Sequence, residues 1–209
     1  MLNNEGFDLW TDTYDESVRM SEEADQYPFA GYKKLLNTIY SRIRTGEGRR
    51  VLDIGFGTAT LSSRLYTDGY AITGLDFSRE MISCAKVKMP EAVLIQADFS
   101  KGLPAELENR KFDWILCTYA IHHLTDIQKA ELIRQCQHLL AENGCIMIGD
   151  VAFKTAELRE TCRKQNSDRW DNDEIYPVAD VLLPSFSGMT YEQISHCAGI
   201  FTLKYHSCK

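Results

Sequence analysis

Val51-Leu52-Asp53-Ile54-Gly55-Phe56-Gly57-Thr58-Ala59 is the stretch on which the fold turns. A run of apolar residues breaks at two glycines and continues into a helical pattern, so a strand is expected to turn sharply into a helix here. Glycine at 55 and 57 allows positive φ and removes the Cβ atoms that would keep a ligand off the backbone, and the helix start supplies free N–H donors. That arrangement serves any nucleotide-like ligand. The dinucleotide fingerprint Gly-x-Gly-x-x-Gly, set at Gly55, needs a third glycine where the chain has Thr60.

Outward from this turn, short β-rich runs at 50–54, 70–75, 92–96, 112–118, 145–151 and 201–206 alternate with helical patterns. The alternation implies an α/β fold with a doubly wound, Rossmann-like, mostly parallel sheet. Helices are expected at 61–66 and at 78–88, the latter with Ser78 as N-cap and Pro90 past its end. Another is expected at 126–140, where Ile127, Ala130, Ile133, Cys136 and Leu140 make an apolar face. Two more, at 7–20 and 29–44, precede the first strand, so residues 1–48 read as a helical lid. The core spans 49–153. Residues 154–190 read as a substrate-facing insertion, with a charged helix at 155–165 and then an irregular acidic-aromatic stretch holding Trp170, Tyr176, Pro177, Pro184 and Phe186. Residues 191–209 are left for a C-terminal helix and a last strand completing the core.

The acids make the glycine turn specific. Asp53 stands two residues before the first glycine, Asp76 ends the next strand and is followed by Phe77, and Gln96-Ala97-Asp98-Phe99 follows the third. A carboxylate at 76 is placed to accept from both ribose hydroxyls of an adenosyl group and repels a phosphate. At the third strand, Asp98 could accept from an adenine amino group while Phe99 offers its N–H or ring. Three acids without a phosphate-binding Lys or Arg suit an uncharged nucleoside linked to a cation, as in S-adenosylmethionine, better than a dinucleotide.

This order and spacing resemble the class I methyltransferase superfamily, strongly over residues 50–151 and loosely elsewhere. Its signature Asp-x-Gly-x-Gly-x-Gly stands here as Asp53, Gly55, Gly57 and Ala59, the last glycine replaced by another small residue. The resemblance implies that Asp53, Gly55 and Gly57, with Thr58 beside them, hold the methionine moiety of S-adenosylmethionine. It implies Asp76 for the ribose, Asp98 and Phe99 for the adenine, and Met81 packed on the base, with Phe77, Ala97 and Thr118 completing the donor set. More narrowly, residues 9–15 and 118–126 resemble the YrrT-like small-molecule methyltransferases of Firmicutes. In such proteins a Trp and a Tyr of the first helix lie over the donor, which makes Trp10 and Tyr14 lid candidates, or else aromatics packing that helix on the core. The superfamily's sheet usually closes with an antiparallel strand beside the fifth. Only three residues follow His206. Either the final hairpin is truncated, or the sheet stops at six strands with its edge covered by a partner chain, as in a homodimer.

A sulfonium already makes its methyl group electrophilic, so the protein's main task is to align a nucleophile and exclude water. Candidates at the ends of strands four and five are Thr118, Tyr119, His122, His123 and Asp150. The catalytic set is Tyr119, His122 and His123: an imidazole titrating near ~6.5 can take a proton from a hydroxyl, thiol or amine, although a His-His-Leu at such a junction also serves capping and packing. Asp150 suits a structural hydrogen bond. Cys117-Thr118-Tyr119-Ala120 is not the Asn/Asp-Pro-Pro-Tyr loop that base-methylating enzymes share. Thr118 is not an acidic magnesium ligand, so no metal is expected.

With 209 residues, 44% hydrophobic, one large domain or a domain with an insertion is expected. A net charge of −7 with scattered Lys and Arg argues against nucleic acid. Seven cysteines without a Cys-x-x-Cys pair read as free, buried thiols. No signal peptide or membrane span is visible, which points to the cytoplasm. The expected partner is a small-molecule acceptor, with S-adenosylhomocysteine as the second product. The alternative is a regulatory protein that binds S-adenosylmethionine or S-adenosylhomocysteine without turnover.

Overall fold

A computed structural model describes residues 26–205. Seven strands make one sheet: β1 (Arg50–Ile54), β2 (Ala71–Asp76), β3 (Val93–Gln96), β4 (Phe112–Thr118), β5 (Leu140–Val151), β6 (Thr190–Gln193) and β7 (Ala198–Lys204). Their order is β3-β2-β1-β4-β5-β7-β6. The first five are parallel, and β7 runs antiparallel to both β5 and β6. The helices are α1 (Tyr32–Thr45), α2 (Thr60–Thr67), α3 (Arg79–Lys88), α4 (Asp126–Leu139), α5 (Ala156–Gln165) and the single turn α6 (Ala179–Leu182). The chain order reverses between β1 and β4, and a crevice opens at the carboxyl ends of strands there.

Local chemistry explains the placements. β1 is buried from Val51 to Ile54, as a strand covered on both faces requires. Ser78 caps α3 by accepting from the Met81 N–H, and Thr125 caps α4 in a reciprocal box with Gln128. On one face of the sheet Leu35, Ile39 and Ile43 of α1 and Leu65 of α2 close the core; on the other, Leu132, Ile133, Cys136 and Leu139 of α4 do so.

Three expectations are corrected. The sheet does not stop at six strands, since β6 and β7 form the antiparallel pair that completes it. The C-terminal helix is absent from the described part of 191–209, where β6 and β7 lie instead. Thr190-Tyr191-Glu192-Gln193 escapes notice because it is short, mostly exposed and polar, as an edge strand can be. In α4, Ile127 is 73% exposed while Lys129 is fully buried, so the apolar face sits differently on the helix. The Lys129 stem fills an apolar position and its Nζ donates to the Leu124 carbonyl at 2.7 Å and pairs with Asp126 at 3.1 Å. Burial pulls this ammonium below its usual range. Of the cysteines described, five are buried and Cys84 is exposed.

Candidate active site

A cavity of about 670 Å³ opens at the carboxyl ends of β1, β2, β4 and β5. One end is made by the glycine turn. Gly55 has φ +69°, and a Cβ there would stand 2.5 Å from the Ala120 Cβ, so both the conformation and the packing demand glycine. Gly57, at φ +52°, is different: a Cβ on it would meet nothing within 4 Å. Open space, and not protein, lies in front of it.

Two buried acids frame this turn. The Asp76 carboxylate accepts from the Gly57 and Ser78 N–H groups, both at 2.9 Å, so it fixes the loop as well as facing the cavity. Asp53 accepts from the Ser62 hydroxyl through Oδ2, while its buried Oδ1 has no hydrogen-bond partner among the described residues. Burial pushes the Asp53 carboxyl up to about 6, against the lowering effect of Ser62 and with a further push from Asp76. A buried acceptor of this kind calls for a donor, and a cation satisfies it best.

The other end of the cavity is assembled from distant segments. Tyr27, Phe29 and Tyr32 precede or open α1; Tyr119, His122 and His123 follow β4; Arg169, Asp171, Asp173, Glu174 and Tyr176 come from the insertion after α5. Tyr119 takes a left-handed φ of +50°, unusual for a side chain of its size. Asp150, fully buried on β5, accepts from the Ile121 and His122 N–H groups through Oδ2 and from His122 Nδ1 through Oδ1 at 2.7 Å. That bond fixes the His122 ring, leaving Nε2 toward Glu174 Oε1, 3.4 Å away. Burial alone lowers the His122 pKa, yet Asp150 and Glu174 outweigh it and the net direction is upward. His123, its ring tilted against that of His122 with centroids 4.2 Å apart, is pulled down to about 4 by burial and by its neighbour.

Glu174 is itself held. Its Oε2 accepts from the Tyr176 hydroxyl, which leaves Tyr27 as the donor to Tyr176. Burial raises the Glu174 carboxyl, with His122 and Tyr176 opposing. The Ile175 N–H donates to the His122 carbonyl at 2.8 Å, and Phe153 and Val178 form an isolated parallel bridge, so the insertion is fastened to the ends of β4 and β5.

Most residues expected from the sequence meet here: Asp53, Gly55, Gly57, Thr58, Asp76, Phe77, Met81, Phe99, Thr118, Tyr119, His122 and His123 all line the cavity. Ala97 and Asp98 do not. The Ala97 N–H donates to the Asp76 carbonyl, and the Asp98 carboxylate turns back to accept from the Ser100 N–H and hydroxyl and to pair with Lys101 at 3.0 Å. Trp10 and Tyr14 lie outside the described residues. Asp150 supports His122 from below the wall. Tyr27, Phe29, Tyr32 and Glu174 line the cavity without any motif in the sequence that singles them out, although an acid among aromatics in the insertion is a usable signal.

Comparison with known proteins fits this geometry. The sequence profile of a family described as a methyltransferase domain matches residues 51–144. An uncharacterized methyltransferase of Geobacillus sp. strain WCH70 is 34% identical over 188 residues, 86% of this chain and 85% of its own. The chain belongs to the class I methyltransferases. A second such relative, from Geobacillus thermodenitrificans strain NG80-2, is also 34% identical and covers 87% of this chain and 85% of its own length. Among solved structures, a magnesium protoporphyrin IX methyltransferase from Synechocystis PCC 6803 with bound SAH superposes at a TM-score of 0.66. At 18% identity, covering 96% of this chain and 98% of the other, it speaks for the fold. This methyltransferase thus has the complete seven-stranded sheet of its class, and no described helix is long and apolar enough to cross a membrane.

Proposed function

We propose that this methyltransferase moves a methyl group from S-adenosylmethionine to a small-molecule acceptor, by in-line displacement inside the cavity. The observation that carries the reading is the buried, unpartnered Asp53 Oδ1 at the foot of the glycine turn. When bound there, S-adenosylmethionine supplies a methyl group on a positively charged sulfur that leaves as a neutral thioether. Asp53 gives its ammonium a counter-charge, and Gly57 leaves room for the methionine portion against the backbone. Asp76 accepts from the ribose hydroxyls, and Met81, Phe77 and Phe99 supply apolar surface for the base. Thr118, at the end of β4, lines the same cavity.

At the acceptor end, Tyr119, His122 and His123 have one task, to leave a lone pair on the acceptor atom, since the electrophile comes ready made. The enclosing Phe29, Tyr32 and Tyr176 exclude water from it. A volume of about 670 Å³ for both ligands supports a metabolite-sized acceptor over a macromolecule threaded through the site. The protein is read as working in the cytoplasm without nucleic acid or membrane.

Two measurements test this. Calorimetry with S-adenosylhomocysteine is expected to give 1:1 binding, and labelled donor with a metabolite library is expected to give a methylated small molecule. Tight NAD binding without a response to S-adenosylhomocysteine would overturn the donor assignment, and donor binding without turnover of any metabolite would make the protein a sensor of S-adenosylmethionine instead.

A further inference from the structure

His122, His123 and Glu174 come from two segments about fifty residues apart in sequence, yet each offers a ligand atom within 4.8 Å of the others. They share one wall of the cavity. His122 already donates Nδ1–H to the fully buried Asp150, which turns Nε2 toward the cavity; a carboxylate behind an imidazole is the usual support of a metal-binding histidine. Glu174 is oriented the same way, with Oε2 taken by the Tyr176 hydroxyl and Oε1 facing His122. The separation of Nε2 and Oε1 is informative. At 3.4 Å it exceeds a charge-assisted hydrogen bond, about 2.7–2.9 Å. It equals the spacing of two ligands on one tetrahedral ion with bonds of about 2.0–2.1 Å, roughly 3.4 Å.

We propose that His122 Nε2, His123 and Glu174 Oε1 bind one divalent transition-metal ion of the zinc type, with its fourth position open to the cavity. Two imidazoles and a carboxylate with one open position are the donor set of a catalytic zinc site. The expectation of no metal rested on Thr118, the position where catechol-type relatives carry an acid. Here the acid arrives from the insertion. The use of the ion rests on the methyl-transfer reading, whereas its binding does not. An acceptor thiol or hydroxyl takes the open position and gives its proton to the metal-bound hydroxide it displaces, which leaves as water. Its lone pair then forms the bond to the methyl carbon, and the electron pair of the breaking S–CH3 bond returns to sulfur, leaving S-adenosylhomocysteine and a methylated acceptor. The ion thus lowers the acceptor's pKa without itself changing oxidation state.

The test uses the full chain, untagged and stripped with chelator, titrated with Co²⁺ and then Zn²⁺. One Co²⁺ per chain is expected, with the visible absorption of a four-coordinate ion that Zn²⁺ abolishes. Glu174→Gln and His123→Ala should each weaken metal binding at least ~10-fold, and Asp150→Asn about 10- to 100-fold. Tyr176→Phe, which removes no ligand, should keep the stoichiometry. S-adenosylhomocysteine binding, measured on every variant, reports that the fold and donor site are intact. Absence of a four-coordinate Co²⁺ spectrum in a protein that binds S-adenosylhomocysteine overturns the metal site alone. Equal metal affinity in Glu174→Gln and the wild type does the same. Loss of S-adenosylhomocysteine binding in the wild type strikes the donor reading instead.

Discussion

The two ends of the cavity are built on opposite plans. The donor end is local: Asp53, Gly55, Gly57 and Thr58 follow one another along a single strand-turn-helix, and Asp76 lies on the strand paired in register beside it. The acceptor end is a convergence of the segment before α1, the turn after β4 and the insertion after α5, with β5 providing support through Asp150. A site written in contiguous residues is set once its strand and helix form, and its geometry tolerates change elsewhere. A convergent site depends on a few long-range bonds, and buried polar groups that hold it carry large penalties when one partner is lost.

Four substitutions break or sharpen this contrast, from the largest expected effect down. Asp150→Ala removes the acceptor of His122 Nδ1 and of three backbone N–H groups, those of Ile121, His122 and Val151. It should cost about 3–5 kcal/mol in urea unfolding while leaving the donor affinity of the remaining folded protein nearly unchanged. A large fall in donor affinity would mean the two ends are not separable.

Asp53→Asn acts through pH. A carboxyl raised to about 6 on folding contributes stability that is present below the unfolded-state value near ~4 and lost as pH rises through 6. The amide should therefore stabilise the ligand-free protein by up to about 3 kcal/mol at pH 8 and by little at pH 4, compared by urea unfolding at the two values. It should also shrink the thermal shift that S-adenosylhomocysteine produces. A gain independent of pH would separate the effect from Asp53 ionisation.

Asp76→Ala should weaken S-adenosylhomocysteine binding by about 1–3 kcal/mol in calorimetry, through the lost ribose contact and the loosened Gly57 N–H. Asp98→Ala is expected to change that affinity by less than about 1 kcal/mol, because its exposed carboxylate is engaged with Ser100 and Lys101. A larger loss would show that Asp98 swings onto the base.

The same contrast decides what was legible in the sequence. Val51 to Ala59 announces itself, because each residue's reason, apolar burial, positive φ or an acid beside the turn, lies within a few positions. Ala59 shows the tolerance of such a motif: it takes the left-handed φ of +59° that the family's glycine would adopt freely, at a cost of about 1 kcal/mol. Ile127 does not sit where the apolar pattern places it, because the Lys129 stem fills a buried position, which a pattern of letters does not reveal. Glu174 was passed over for a different reason. Nothing in its own neighbourhood says that Tyr176 will orient it or that Ile175 will dock on the His122 carbonyl; those facts arise only when the insertion folds over β4. Asp98, by contrast, was assigned by analogy of position, and the adjacent Ser100 captured its side chain.

Trp170 gives the acceptor end a practical use. Its indole stacks on Tyr27 at 5.1 Å and meets Tyr176 edge-on at 4.9 Å, and both phenols face the cavity. Trp114 lies elsewhere, on the stretch of β4 paired with β1 near Gly46. With Trp10 and Trp114 changed to phenylalanine, the emission of Trp170 becomes an intrinsic optical gauge of the acceptor chamber, able to rank candidate metabolites by fluorescence without any label or knowledge of the product.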